Sequence, residues 1–334
     1  MRVSLIATVL NEGDSIVALL DSIREQTRQP DEIVICDGGS TDGTVNLLYD
    51  FADVLPLQVI DLPGANISQG RNAAIAASSG DVIAVTDAGV ILDPDWLAYL
   101  VAPMEQDDQV NKVAGFFLPD AHSAFEVALA ATTLPAAHEI DPATFMPSSR
   151  SVAFRRSILH DVGGYPEWLD FCEDLILDFR IAALYGPFAF EPDAIVFFRP
   201  RPSLRDFYRQ YYQYARGDGK ANLFYRRHLI RYMTYFAVLP LLLFAGLAVS
   251  LWWFAAVLAG GAYMLYKPYQ RLMQQWQGLD WRHKLSAALW VPVIRISGDF
   301  AKMHGYPFGV WWRFQNRPPE WRIETDRQAI DPSR

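Results

Sequence analysis

Gly80-Asp81-Val82-Ile83-Ala84-Val85-Thr86-Asp87-Ala88-Gly89-Val90-Ile91-Leu92-Asp93-Pro94-Asp95-Trp96 opens with a short run of apolar, largely β-branched residues and then presents an acid. Val82 to Val85, bounded by Gly80-Asp81, predicts a strand buried on both faces, because a run without polar alternation has no solvent side. Asp87 then stands just past the carboxyl end of that strand. Open α/β sheets bind their ligands at this edge, and Ala88-Gly89 leaves the backbone there unobstructed. A carboxylate so placed can hold a hard divalent cation and, through it, phosphates. Read alone, Asp-Ala-Gly is more commonly a turn whose Asp satisfies nearby amides. The neighbouring segments decide between the two.

Upstream, Val3 to Val9 is an apolar strand, and Asp14 to Glu25 repeats apolar residues at Ile16, Leu19, Leu20 and Ile23 with helical period. The loop between them, Thr8 to Gly13, lacks the Gly-x-Gly-x-x-Gly of a dinucleotide site, which weakens a dehydrogenase reading. Glu32 to Cys36 predicts a second strand that ends on Asp37. Ser40 to Thr44 behind it reads as the cap of the next helix. Leu57 to Ile60 is a third strand. Ile67 to Ala77 is a helix of small residues carrying Arg71 near the same edge, where a guanidinium could hold a nucleobase or phosphate. With Val82–Val85 the order is βαβαβαβ, an α/β fold with a mostly parallel, doubly wound sheet. Lys112 to Leu118 adds a further strand, and Pro147 to Arg156 a loop leading into a strand and a helix.

Charge is uneven along the chain. Of 29 Lys+Arg and 38 Asp+Glu, 14 basic and 6 acidic residues lie from Arg226 onward, leaving 15 and 32 before it. An acidic head argues against nucleic acid as partner. The basic tail surrounds 35 residues, Tyr232 to Tyr266, without one charged side chain. One span needs roughly 20 apolar residues, so the run predicts a tight pair of membrane helices, with a re-entrant hairpin as the alternative. Arg226, Arg227 and Arg231 flank one end, and Lys267, Arg271, Arg282 and Lys284 the other, which places both ends on the cytoplasmic side of an inner membrane. Leu285 to Val293 reads as an interfacial helix. Ser203 to Tyr214 carries an aromatic stripe at helical spacing, read as lying on the bilayer. No signal peptide is expected at the start, and two cysteines, Cys36 and Cys172, imply reduced thiols rather than a disulfide framework. The expected division is a cytoplasmic domain over 1–225, a membrane hairpin with an interfacial helix over 226–300, and a polar tail over 301–334.

The motifs Thr-Val-Leu-Asn-Glu, Asp-Gly-Gly-Ser-Thr-Asp-Gly-Thr, Gly-Arg-Asn-Ala-Ala and Thr-Asp-Ala-Gly, in this order and spacing, resemble an inverting family-2 glycosyltransferase of the GT-A fold over about Met1 to Asn222. The resemblance implies that Thr8, Leu10 and Glu12 surround a nucleotide. It implies that Asp37 reads a uracil edge, that Arg71 lies near the base, and that Asp87 meets the ribose or a metal, Mg²⁺ or Mn²⁺. Two positions depart from the pattern: Gly38 and Gly89 stand where second acids are usual. In Gly163-Gly164-Tyr165-Pro166-Glu167-Trp168-Leu169-Asp170-Phe171-Cys172-Glu173-Asp174 the Glu-Asp pair matches the opening of the family's catalytic helix. Asp174 is then the base that takes the acceptor's proton, and Glu173 orients the acceptor or the helix. A helix N-terminus tolerates adjacent carboxylates because its free amides stabilise them. Arg150, Trp168 and Arg216 are assigned to the acceptor or the diphosphate. Gln213-Tyr214-Ala215-Arg216-Gly217 resembles the Gln-x-x-Arg-Trp motif of processive members but lacks its aromatic. The expected activity is transfer of one sugar from a nucleotide sugar, with uridine favoured, to a lipid-linked or cell-envelope glycan. A processive polysaccharide synthase subunit and a non-catalytic sugar-nucleotide binder are the alternatives.

Overall fold

A computed structural model describes residues 1–323, which fall into two compact units. One comprises Met1–Asp120, Ala137–Phe198 and the described residues from Glu320; the other comprises Ala121–Ala136 and Arg199–Pro319. In chain order the strands are β1 (Val3–Val9), β2 (Glu32–Asp37), β3 (Leu57–Asp61), β4 (Val82–Val85), β5 (Val90–Leu92), β6 (Lys112–Pro119), β7 (Val152–Arg155) and β8 (Ala189–Phe198). The helices are α1 (Ser15–Arg24), α2 (Thr44–Ala52), α3 (Ile67–Ala77), α4 (Trp96–Gln106), α5 (Ala124–Thr133), α6 (Arg156–Asp161), α7 (Glu173–Tyr185), α8 (Leu204–Ala221), α9 (Tyr225–Met233), α10 (Leu239–Ala248), α11 (Trp253–Gln274) and α12 (Trp281–Asn316).

In the first unit the eight strands form one sheet in the order β3-β2-β1-β4-β7-β6-β8-β5. Strands β3, β2, β1 and β4 are parallel neighbours, as the alternating elements predict. Their carboxyl ends therefore share one edge, and Asp37 pairs in register with Val9 of β1. The other half is mixed, with β7 antiparallel to both β4 and β6, and β5 antiparallel to β8. Side chains alternate across the pleat. Leu5, Ala7, Ile33 and Ile35 meet Ile16, Leu19, Leu20 and Ile23 of α1 and Trp96, Leu97 and Leu100 of α4 on one face. Ile6, Val34, Ile83 and Val85 meet Ala74 of α3, Ile158 of α6 and Leu177 and Ile181 of α7 on the other.

The second unit corrects three expectations. Helix α12 runs unbroken from Trp281 to Asn316, through Pro292 and Pro307 and across the boundary expected at residue 300. Residues 301–316 are thus helix rather than tail, and the remainder of that expected tail from residue 324 lies outside the described residues. The stretch Leu285–Val293 is part of α12, with Ala287 and Val291 buried in a cluster with Phe125, Leu129 and Phe207. The stripe on α8 packs on protein instead of lipid: Phe207 and Ala215 are buried, and α8 lies against α12. Small residues allow this close approach. A Cβ at Gly305 would sit 2.1 Å from the Tyr212 carbonyl oxygen, and one at Gly309 2.0 Å from that of Arg216.

Tyr225–Ala248 is one continuous helix of 24 residues, with α9 joined to α10 through a wider turn over Thr234–Val238. Among the described residues it alone is long and apolar enough to cross a membrane by length and composition, and almost none of it is buried. After Val249–Trp252 the chain reverses into α11, which packs back on α10 through Gly246 and Phe254. Helices α10 and α11 thus form a helical hairpin.

Candidate active site

The sheet edge is built by two loops that hold one another. Asn11, in the left-handed region at φ 56°, donates its backbone N–H to Ser40 Oγ at 2.8 Å, and its Oδ1 accepts from Thr41 N at 2.8 Å. Thr44 Oγ1 accepts from the amides of Glu12 and Gly13 at 3.0 and 2.9 Å. Ser40, Thr41 and Thr44 therefore tie the second loop to the first, while Asp42 Oδ1 accepts from Thr44 N at 3.2 Å at the start of α2, as the capping reading of this stretch expects. Asp37 is buried. Its Oδ2 accepts from Gly39 N and Ser40 N at 2.8 Å each, and its Oδ1 is a buried acceptor with no partner among the described residues. An orphaned carboxylate oxygen at a ligand edge suits an N–H donor supplied from outside the chain. On the same loops Leu10 is exposed, Thr8 half-buried, and Glu12 Oε2 accepts from Ser15 Oγ at 3.0 Å.

Helix α3 brings the start of α7 to this edge. Asn66 caps it, accepting from Gln69 N at 2.9 Å, and donates from Nδ2 to the Glu167 carbonyl at 2.7 Å. Asn72 Nδ2 donates to the Tyr165 carbonyl and Asn72 Oδ1 accepts from Tyr165 N, both at 2.9 Å. Ser68 Oγ donates to the Leu169 carbonyl at 3.2 Å. The turn must pass this close: a Cβ at Gly164, φ 68°, would lie 2.6 Å from Asn72 Oδ1. One side of α3 thus holds the segment Tyr165–Leu169, in which Trp168 is half-buried, and sets where α7 starts. Cys172, at φ 64°, turns the chain into Glu173.

Arg71, expected beside a nucleobase, is instead 2% exposed and joins two acids. Its Nη1 lies 2.7 Å from Glu173 Oε1 and its Nη2 2.7 Å from Asp87 Oδ1, with the guanidinium 5.0 Å from the Tyr165 ring centroid. This corrects the ligand-facing reading: two carboxylates occupy Nη1 and Nη2, an aromatic face covers the guanidinium, and its Nε is a buried donor with no partner among the described residues. Arg150 approaches from the other side, its Nε 3.5 Å from Asp87 Oδ2. Asp87, Arg71, Arg150, Glu173 and Asp174 are therefore one cluster, whereas Arg216 lies on α8 in the second unit.

Burial, then the charge of Asp174, pushes the Glu173 carboxyl above its ordinary value while Arg71 pulls it back. Burial likewise raises Asp174, whose Oδ1 accepts from Leu175 N at 2.8 Å. Two residues went unnoticed in the sequence, Tyr165 and Asp178. Asp178 is one helical turn beyond Asp174, so the Asp-x-x-x-Asp spacing was the available signal. It is buried, its Oδ2 has no partner among the described residues, and burial followed by the Asp174 charge holds it well above its ordinary value.

A folded state that keeps the Asp178 proton while the unfolded chain has lost it grows less stable as pH rises above about 4. Asp178→Asn is expected to flatten that fall. Its thermal midpoint should gain on the parent protein with increasing pH, and equal slopes in a melting series would contradict the assignment.

A metal at Asp87 fits this donor set poorly. Both oxygens of the one strand-end carboxylate face guanidiniums, and position 89 offers no second acid. No group of three His, Cys, Asp or Glu side chains able to hold a cation occurs among the described residues. A dication there would sit beside two fixed positive charges. No step below is routed through a metal.

A mixed sheet with helices on both faces and an acid cluster at its parallel edge is the arrangement of the GT-A fold. The profile described as Glycosyl transferase family 2 matches residues 4–163. The succinoglycan biosynthesis protein ExoA of Rhizobium meliloti is 30% identical over 275 residues, covering 76% of this chain and 83% of that protein. The O-antigen chain rhamnosyltransferase RfbN of Salmonella typhimurium is 27% identical over 227 residues, 64% of this chain and 71% of its own. Among solved structures, the mannosyltransferase PcManGT from Pyrobaculum calidifontis, in complex with GDP-Man and Mn²⁺, superposes with a TM-score of 0.62 at 22% identity, over 90% of this chain and 87% of that one. The chain belongs to glycosyltransferase family 2 and is an enzyme.

Proposed function

We propose that this enzyme transfers one sugar from a nucleoside-diphosphate sugar, with inversion, to a hydroxyl of a lipid-linked or cell-envelope glycan. It would work at the cytoplasmic face of a membrane that holds the α9–α11 hairpin. The observation that carries this reading is the Arg71 bridge, which ties the donor-edge acid Asp87 to the first residue of the helix bearing Asp174. Thr8, Leu10 and Glu12 surround the nucleotide, and the unpartnered Asp37 Oδ1 takes an N–H of the base, for which uracil is the first candidate. Trp168, beside the start of α7, contacts the acceptor. Asp174 removes the proton of the attacking hydroxyl as the anomeric carbon loses its bond to the phosphate oxygen, and the bonding electrons leave with the nucleoside diphosphate.

The relatives' roles in O-antigen chains and succinoglycan support a glycan acceptor. The 24 residues of Tyr225–Ala248 are long enough for a hydrocarbon core of about 30 Å at about 1.5 Å per residue, and α11 returns beside α10. Arg226, Arg227, Lys267 and Arg271 then lie at the same face. Gly217 in place of an aromatic removes the surface on which a growing chain would stack, which favours a single addition. The test supplies the full chain in detergent with nucleotide sugars and polyprenyl-linked oligosaccharides. Acceptor-dependent release of nucleoside diphosphate and a product one sugar longer are expected; a ladder of products would replace this reading with a processive one.

A further inference from the structure

The misfit of a metal at Asp87 leaves the leaving diphosphate without an obvious counter-charge. From the cluster around that acid we infer that Arg150 supplies it, and that donor binding and transfer in this chain need no divalent cation. This rests on the nucleotide-sugar reading above. Arg71 cannot serve, because it is sealed under Tyr165 at 2% exposure with its Nη1 and Nη2 on the two acids. Arg150 is 23% exposed, so a ligand can reach it.

The placement of Arg150 is built. Thr86 Oγ1 donates to the Arg150 carbonyl at 2.9 Å, which fixes the backbone of residue 150 against the end of β4. The guanidinium lies 4.8 Å from the Phe198 ring centroid and 5.9 Å from that of Phe117, and its Nη1 donates to Ser148 Oγ at 3.3 Å. Two aromatic faces hold a planar cation without consuming its in-plane donors. The contact with Asp87 is long, 3.5 Å from Nε to Oδ2, and so is readily exchanged for a phosphate that takes two parallel N–H donors. The exchange frees Asp87 Oδ2 for a ribose hydroxyl. Gly89 keeps the approach open, since a Cβ there would meet nothing within 4 Å. When the anomeric bond breaks, its electron pair stays on the phosphate oxygen, and the nearby guanidinium stabilises that growing charge.

The experiment titrates UDP, GDP and dTDP into the full chain in detergent, once with EDTA and once with Mn²⁺, for the parent, Arg150→Met and Arg150→Lys. The nucleotide that binds is expected to do so with affinities within about three-fold in the two conditions. Arg150→Met should weaken it roughly ten-fold or more in both, about 1.4 kcal/mol, and Arg150→Lys should restore part of the loss. Far-ultraviolet circular dichroism checks that the variants fold; if Arg150→Met does not, the parent and Arg150→Lys titrations still decide. Binding abolished by EDTA and restored by Mn²⁺ overturns the proposal while leaving the donor reading intact, as does a folded Arg150→Met that binds like the parent. Binding of no nucleotide in either condition removes the donor reading, and the proposal with it.

Discussion

Asp174→Asn is expected to reduce transfer by about 10²–10⁴-fold, the usual contribution of a positioned general base, with nucleotide affinity close to that of the parent. The amide keeps the shape of the carboxylate but accepts no proton from the attacking hydroxyl. Asp174 is also placed for the role electrically. Burial raises it above the ordinary carboxylate range of about 4, with Arg71 limiting the rise, so it is a stronger base than a solvated carboxylate. Only its ionised form removes a proton. Hence kcat of the parent enzyme should fall as pH is lowered, beginning at a higher pH than for a solvated carboxylate, because the raised group takes up its proton earlier. Steady-state rates across pH, with nucleotide binding measured by titration, check both statements. Undiminished turnover in Asp174→Asn would take the base role from this residue, and lost nucleotide binding would make it a donor ligand instead.

The half of the sheet that carries the nucleotide loops was legible because each of its signals is local. Val3–Val9, Glu32–Cys36, Leu57–Ile60 and Val82–Val85 are short apolar runs, the first three each followed by a loop and then by a helix. The strands that escaped are held by distant partners. Strand β5 has only three residues and is stabilised by β8, about a hundred positions away; β8 itself is interrupted by Glu191-Pro192-Asp193, and its register with β6 shifts between Ala114 and Phe116. The α8 stripe shows the same limit from another side. Periodicity says which face of a helix is apolar, not whether lipid or protein covers it. Gly298, Gly305 and Gly309 on α12 were the overlooked clue that a helix could come close enough to do so.

At the site, residue types and order pointed to Asp37, Asp87, Glu173 and Asp174, but the wiring could not be read. Arg71 finds one partner 16 residues away and another 102 away, and nothing local distinguishes a ligand-facing arginine from one closed between two acids. A strand-end Asp is a plausible ligand in sequence, and only the fold brings two guanidiniums to its two oxygens.

Arg71→Met should therefore damage the fold before the chemistry. Removing one partner of a buried ion pair leaves the other charge uncompensated, at a cost of about 3–5 kcal/mol. Here one residue serves two carboxylates: Glu173 is buried and 2.7 Å away, while Asp87 is 28% exposed and partly relieved by water. The larger share of the loss thus falls on Glu173, which must take up a proton to remain buried. Without Arg71 its carboxyl rises further, so by the linkage relation the deficit grows with pH and shrinks in acid, where Glu173 is protonated in either state. Arg71→Lys is expected to recover only part, since a single ammonium cannot present two separate donors to two acids in a fixed fork. The decisive comparison is the double variant Arg71→Met/Glu173→Gln. If the ion pair is the main term, adding Glu173→Gln to Arg71→Met raises the thermal midpoint, although Glu173→Gln alone lowers it. Additive losses would show that Arg71 acts chiefly through its packing on Tyr165.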